Sequence, residues 1–207
     1  MSAPAIAVLC SGQGTNLQAI INAIQRGRLR ARLAVVITDN PRAYALVRAR
    51  KAGIPAAVID PRRYRSRQRF DQELARIIAK AKAQWVVLAG FMRILSPWMV
   101  RRYKGRILNI HPALLPAFPG MHAIRDALHY GVKVTGVTVH LVDEKIDHGP
   151  IVLQGTLPIR DGETETSLTQ RVHRLEHRLY SQAIELLVQK RLKLRGRKII
   201  QTARKRR

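Results

Sequence analysis

An α/β fold, with a Rossmann-like, mostly parallel sheet and helices on both faces, is predicted by three observations. Short apolar stretches alternate with longer stretches of helical spacing through the first half of the chain, the pattern of successive βαβ units. The first stretch, residues 5–10, is apolar throughout, as a fully buried strand should be. After residue 130 the pattern changes, and residues 134–141 alternate along a two-residue period, which predicts an antiparallel continuation.

Each element follows from local pattern. A turn at 11–16 separates the first strand from a helix over 17–26, whose Leu17, Ile20, Ile21 and Ile24 share one face. A second strand is expected at 33–38, a helix at 44–52 stopped by Gly53, and a third strand at 56–59. Phe70, Leu74, Ile77 and Ile78 mark a long helix over 66–82, followed by a strand at 85–89 and a short helix at 97–103. The fifth strand is 107–111. A helix at 122–130, the half-buried strand 134–141, a further strand at 151–157 and a long helix at 166–188 complete the pattern. One catalytic domain is therefore expected over 1–189, with halves of about 1–104 and 105–189 on a continuous sheet. Residues 190–207 form a basic tail with little apolar pattern beyond Ile199 and Ile200, and are expected to be dispensable.

Composition narrows the function. With 207 residues, 46% of them hydrophobic, a buried core is expected. No apolar run approaches the roughly 20 residues that span a bilayer. No basic region precedes the first apolar run, so a secretory signal is not expected, and a cytoplasmic location is the simplest fit. A single cysteine, Cys10, leaves no internal disulfide or multi-cysteine metal site, and its place on the first strand makes it core. The net charge of +25 favours anionic partners, from phosphorylated metabolites to nucleic acid, or reflects a solvated, Arg-rich surface.

Asn109 and His111 are alternate residues at the carboxyl end of a strand, so they point to one side. An amide donor and an imidazole there could stabilise an oxyanion and move a proton. Such residues are also common as satisfied structural groups. The rigid loop that follows, with Pro112, Pro116, Pro119 and Gly120, favours a ligand site. Asp147, in the turn 142–150, supplies a carboxylate.

The run Gly12-Gln13-Gly14-Thr15-Asn16 lies between a strand and a helix, where backbone amides can cradle a phosphate. Leu17 stands where a dinucleotide fingerprint wants Gly or Ala, and no P-loop Lys is present, so a monophosphate is the better fit. A tight turn that merely needs glycine is the other reading. The loop 89–95 could line a groove for a flat heteroaromatic ring through Met92 and Leu95. His173 and His177, four apart on a helix, could clamp a cation, but packing or surface histidines are the commoner case, and no metal is expected.

These motifs, in this order and spacing, resemble the glycinamide ribonucleotide formyltransferase family over about residues 5–190. The blocks are Ser11 to Leu17, Leu88 to Pro97, Asn109-Ile110-His111-Pro112 with Leu114-Leu115-Pro116, and Asp147 with Gly149-Pro150-Ile151. The resemblance implies catalysis by Asn109, His111 and Asp147, and substrate binding by Gly14, Thr15, Asn16 and Glu176. It implies a site for 10-formyltetrahydrofolate, the co-substrate, lined by Arg67, Met92, Arg93, Ile94, Leu95, Asn109, Asp143, Glu144, Lys145, Ile146 and Asp147. The reaction implied is formyl transfer to the amine of phosphoribosylglycinamide by a monomer or homodimer, through a tetrahedral oxyanion held by Asn109 and, if protonated, by His111. A formyltetrahydrofolate hydrolase or another folate-dependent formyltransferase is the near alternative. A nucleic-acid-binding module without catalysis is the distant one. His148 departs from the family's usual small residue, and the basic tail lies outside its pattern.

Overall fold

The computed structural model describes residues 3–202. Seven strands form one sheet in the order β3-β2-β1-β4-β5-β6-β7. In chain order they are β1 (Ala5–Leu9), β2 (Arg32–Thr38), β3 (Ala56–Val58), β4 (Trp85–Leu88), β5 (Ile107–His111), β6 (Val134–Leu141) and β7 (Ile151–Pro158). The first five run parallel, and β6 and β7 continue the sheet antiparallel. Helices α1 (Thr15–Gln25), α2 (Ala45–Lys51), α3 (Arg67–Lys80), α4 (Pro97–Arg102), α5 (Ala123–Tyr130) and α6 (Glu165–Val188) connect the strands. Every element expected from the sequence up to residue 188 is present, with its ends displaced by two residues at most.

Strand alternation builds two cores, one on each face of the sheet. Ile6, Val8, Val87, Leu108, Val137 and Val139 point toward α1 and α6, where they meet Leu17, Ile20, Leu175 and Tyr180. Ala7, Leu9, Val35, Val86, Leu88 and Ile107 point the other way, onto Phe70, Leu74 and Ile78 of α3 and Met99 of α4. Ser66 and Ser96 cap α3 and α4 by accepting hydrogen bonds from the amides of Arg69 and Met99.

Two expectations are corrected. The alternation in β6 predicts a solvent-facing side, yet everything after Val134 is buried. Val137, Val139 and Leu141 enter the core, while Thr138 and His140 lie beneath the 113–120 loop. Thr138 Oγ1 donates to Ala113 O at 2.7 Å and accepts from Leu115 N at 3.0 Å, so it pins that loop.

The tail is the second correction. Leu192–Arg195 (β8) and Lys198–Gln201 (β9) form an antiparallel hairpin. Leu192 and Ile199 pack on the main core, so the segment docks after all. Two apolar residues per strand were enough, because the hairpin supplies its own backbone hydrogen bonds. Residues 203–207 of the expected tail lie outside the described residues. No helix is long and apolar enough to cross a membrane among the described residues.

The order of strands reverses between β1 and β4, and ligands of open α/β sheets bind at such a switch point. The loops leaving the two strands are tied together there. Ser11 N donates to Gly90 O at 3.0 Å, and Met92 N donates to Ser11 Oγ at 2.9 Å. Tyr180 of α6 holds the neighbouring strands, its hydroxyl lying 2.7 Å from Leu88 O and 3.0 Å from Leu108 O. Tyr180→Phe leaves both buried carbonyls without this donor while keeping the ring. A loss of about 1–3 kcal/mol is expected, read as a lower urea midpoint at unchanged m-value.

Candidate active site

The carboxyl ends of β1, β4 and β5 open into the crevice. Gly14 begins α1 in the left-handed backbone conformation, at φ 69°. A Cβ there would approach Ala45 Cβ to 2.9 Å, so both backbone and space require glycine. No side chain caps α1, which leaves its first-turn amides free for an anion. Asn16 was expected to offer its side chain to a phosphate. Instead its Nδ2 donates to Glu176 Oε2 at 3.0 Å, across 160 residues of chain. Its backbone N–H and the Thr15 side chain remain for that role.

Glu176 is buried, and burial pushes its carboxyl up to about 7, against a smaller opposing effect of Asn16. Its helix places it one turn before Tyr180, the residue that touches Leu88 O at the end of β4 and Leu108 O, the residue before Asn109 in β5. A carboxyl poised between its two forms can accept a hydrogen bond from an amine or take its proton.

Asn109 and His111 project from one side of β5, as expected, and His140 joins them from the paired position opposite Asn109. Asn109 Nδ2 lies 3.2 Å from His140 Nε2 and 3.5 Å from Asp147 Oδ1. His140 Nδ1 faces Leu141 O at 2.9 Å, so that nitrogen carries a hydrogen. His111 Nε2 lies 2.7 Å from Phe118 O and therefore donates, while its Nδ1 faces Asp147 Oδ2 at 3.4 Å. Asp147 Oδ2 also accepts from Gly120 N at 2.9 Å.

The state of His111 is set by opposing influences. Burial, the larger influence, lowers its pKa, and the nearby Asp147 carboxylate and Phe118 carbonyl offset only part of this. Burial thus favours the neutral ring, and a hydrogen on Nε2, facing Phe118 O, would leave its lone pair on Nδ1. Burial also acts most strongly on Asp147, but upward. The His140 ring, the Gly120 amide and the His111 ring together outweigh it and hold the carboxyl below its usual range.

The backbone around Asp147 is unusual. Asp147 itself has φ 47°, a left-handed conformation disfavoured for non-glycine residues. Two residues on, a Cβ at Gly149 would lie 1.7 Å from Leu141 O, so only glycine passes. The turn is further fixed by Asp143, which accepts from Lys145 N at 3.0 Å and lies 2.7 Å from His148 Nδ1.

The expected folate-lining residues divide. Met92, Ile94 and Ile146 are exposed apolar side chains around the crevice, and Met121, unforeseen, is a fourth. Leu95 is buried in the second core and cannot line a groove with its side chain. Arg93 lies over the Phe70 ring at 5.0 Å. Arg67 opens α3; burial raises the Asp71 carboxyl above its usual range, and the Ser96 hydrogen bonds and, more weakly, Arg67 and Arg93 offset only part of this. Glu144 pairs with Arg101 of α4 at 3.1 Å, while Lys145 is exposed.

Sequence reasoning missed His140 and Asp71. Asp71 is buried, and its Oδ2 accepts from Ser96 N at 2.5 Å, which anchors the end of the 90–96 loop. A lone Asp on an amphipathic helix gives no signal of this. His140 was visible only as one of several polar residues in an alternating strand. Cys10 is buried, and its thiol is pushed up to about 12, chiefly by burial and further by Asp39, which makes it inert. His173 and His177 stack with centroids 6.4 Å apart, and no group of three or more potential metal ligands exists among the described residues.

A groove of about 930 Å³ lies between α1 and α6. It runs from Thr15 past Arg26, Arg48, Arg174 and Arg178 to Arg191 and holds none of the Asn-His-Asp residues. It extends the anion-seeking surface outward from the start of α1.

Fold and site together define a doubly wound α/β protein whose switch-point crevice joins an anion-binding helix start to a buried Asn-His-Asp cluster. The chain belongs to the formyl transferase family, whose profile matches residues 5–184. It is 43% identical to the phosphoribosylglycinamide formyltransferase of Escherichia coli over 91% of this chain and 89% of that protein. It is 46% identical to the trifunctional purine biosynthetic protein adenosine-3 of Drosophila pseudoobscura, but spans only 14% of that protein's length. The crystal structure of glycinamide ribonucleotide transformylase 1 from Symbiobacterium toebii superposes with TM-score 0.95 and 46% identity, covering 98% of this chain and 95% of that one.

The buried Glu176 makes stability depend on pH. Its folded pKa of about 7 lies above the ordinary value of 4.5, so the folded state retains a proton that the unfolded chain has lost. Stability from this group is greatest below pH 4.5 and falls as pH rises to about 7, by about 3 kcal/mol in all. Glu176→Gln should therefore raise Tm more at pH 8 than at pH 4.5, as read by calorimetry at both. An equal change at the two pH values would show that the carboxyl titrates normally.

Proposed function

We propose that this protein transfers the formyl group of 10-formyltetrahydrofolate to the primary amine of 5′-phosphoribosylglycinamide. The observation that carries this reading is the meeting of Asn109, His111 and Asp147 at the end of β5, in the crevice that also receives the start of α1. The names of the relatives at high coverage support the same substrate. The amides of Thr15 and Asn16 would hold the substrate phosphate, and Glu176 its amino end. Met92, Ile94, Met121 and Ile146 would cover the apolar ring system of the folate, with Arg67 and Arg93 at the rim.

The amine nitrogen attacks the formyl carbon, a C–N bond forms, and the carbonyl oxygen becomes an oxyanion. Asn109 donates to that oxygen, with its amide oriented by His140. His111, neutral at rest, takes the ammonium proton on Nδ1, and Asp147 stabilises the imidazolium that results. The proton passes to the folate nitrogen as its bond to carbon breaks. No covalent enzyme intermediate is needed, because the amine is itself the nucleophile. Partners are thus small molecules. The net charge of +25 would add only salt-sensitive, sequence-independent retention of nucleic acid. Residues 1–189 carry the whole chemistry in this reading.

Purified protein mixed with 10-formyltetrahydrofolate should change folate absorbance only when the ribonucleotide is added. Formate release without it would select the hydrolase reading. Asn109→Ala should raise the barrier by about 3–4 kcal/mol, the usual loss for one oxyanion donor, with a wild-type circular dichroism spectrum. Asp147→Asn should slow turnover and move the His111 pKa further down in an NMR titration, since a neighbouring negative charge is lost. Wild-type turnover in Asn109→Ala, or no downward shift in Asp147→Asn, would reject the assignment.

A further inference from the structure

The family match ends at residue 184, before the β8–β9 hairpin, and the mechanism uses no residue of that hairpin. Its placement is nevertheless specific. Arg191 Nε donates to Thr202 O at 2.9 Å and Thr202 N donates to Arg191 O at 2.8 Å, so the base is closed. Leu192 and Ile199 fix it to the core. Its tight turn, Gly196-Arg197, then carries a guanidinium to the 143–148 loop. Arg197 Nη1 lies 3.2 Å from Nδ1 and 3.1 Å from Nε2 of His148, and Arg197 Nη2 donates to the His148 carbonyl.

That contact falls at a demanding place. His148 stands between Asp147, held in left-handed backbone, and Gly149, where the chain passes against Leu141 O. Asp143 Oδ2 lies 2.7 Å from the same His148 Nδ1, and Arg101 holds Glu144 in the same loop. A loop strained at its functional residue needs its neighbours to over-determine it. Arg101 and Arg197 provide two external anchors, one from α4 and one from a segment nearly 50 residues further along the chain.

We propose that the carboxy-terminal hairpin is a strap, and that Arg197 is a positioning residue which holds the 143–148 loop, and with it Asp147, in place for the folate. The proposal rests on the functional reading above. The superposition on the Symbiobacterium toebii enzyme covers 98% of this chain, too large a share to leave the hairpin out. The strap is thus an element that some relatives carry, outside the part that defines the family.

The test compares the full-length protein with Arg197→Ala, Arg197→Lys and, as a control, Arg195→Ala on the adjoining strand. Hydrogen–deuterium exchange of amides 144–149, measured without substrate, should quicken in Arg197→Ala, recover in part in Arg197→Lys and stay unchanged in Arg195→Ala. The contact is partly exposed, so the KM for 10-formyltetrahydrofolate should rise about 2- to 5-fold in Arg197→Ala, while the KM for the ribonucleotide and the Tm stay near wild type. Unchanged exchange in the loop would overturn the strap. Faster exchange with an unchanged folate KM would overturn its positioning role. Exchange needs no substrate, so a wild-type protein inactive in formyl transfer would count against the functional reading and leave the strap to be judged by exchange.

Discussion

One half-buried carboxylate organises the site. Asp147 accepts the Gly120 amide from the loop after β5, lies beside His111 and Asn109 from β5, and comes within 3.8 Å of His140 from β6. Three chain segments converge on two oxygen atoms. Burial alone would drive the carboxyl toward its neutral form, and the surrounding donors and rings reverse that. The charge then does two things. It makes the donors converge, which closes the loop over β5, and it offers a counter-charge to an imidazole that burial keeps neutral. The strained backbone at Asp147 is tolerated because the loop is held at several other points.

The opposite wall of the crevice uses burial in another way. Among the described residues Glu176 has only the Asn16 amide as a hydrogen-bond partner, and its carboxyl rises to about 7. Two carboxylates near one crevice thus end on opposite sides of their ordinary range, because one is surrounded by donors and the other is not. Pairs of acids set apart by environment are a recurrent way to divide roles in a site. Tyr180 links the two walls, since it shares a helix face with Glu176 and touches the carbonyls of Leu88 and Leu108, at the ends of the strands beside Asn109.

Much of this was legible in the sequence. Apolar runs and helical spacing gave the elements, and Asn109 and His111 could be placed on one side of β5 from the two-residue period alone. What failed shows where local pattern stops. In β6 the polar residues at alternate positions read as a solvent face, but they are buried under a loop whose path depends on contacts far along the chain. Thr138 and His140 are there because Ala113, Leu115 and Asn109 need partners. Periodicity reports which residues share a side, not whether that side meets water. Burial of the Leu95 side chain was not visible in a loop without periodicity, and the docking of 190–202 was missed because a short hairpin needs few apolar residues when a core edge is waiting. The state of His111 was also beyond reach, since it depends on how burial compares with one carboxylate.

The proposed chemistry gives that last balance its meaning. A primary amine attacks only when its nitrogen lone pair is free, and the tetrahedral adduct must then shed a proton. A histidine already charged could not take it. Burial favours a neutral His111, and the Phe118 carbonyl beside Nε2 favours the hydrogen there and the lone pair on Nδ1. Asp147 lies on the Nδ1 side, where positive charge appears only after the proton moves, so its stabilisation favours the later state over the resting one. In the proposed reaction Asn109 would act on the oxyanion in the same interval. The strong positive charge of the chain plays no part in this step. It lies on the surface and along the groove from Thr15, where it would draw in anionic substrates, while the reacting atoms would meet the half-buried Asp147 and its neighbouring rings.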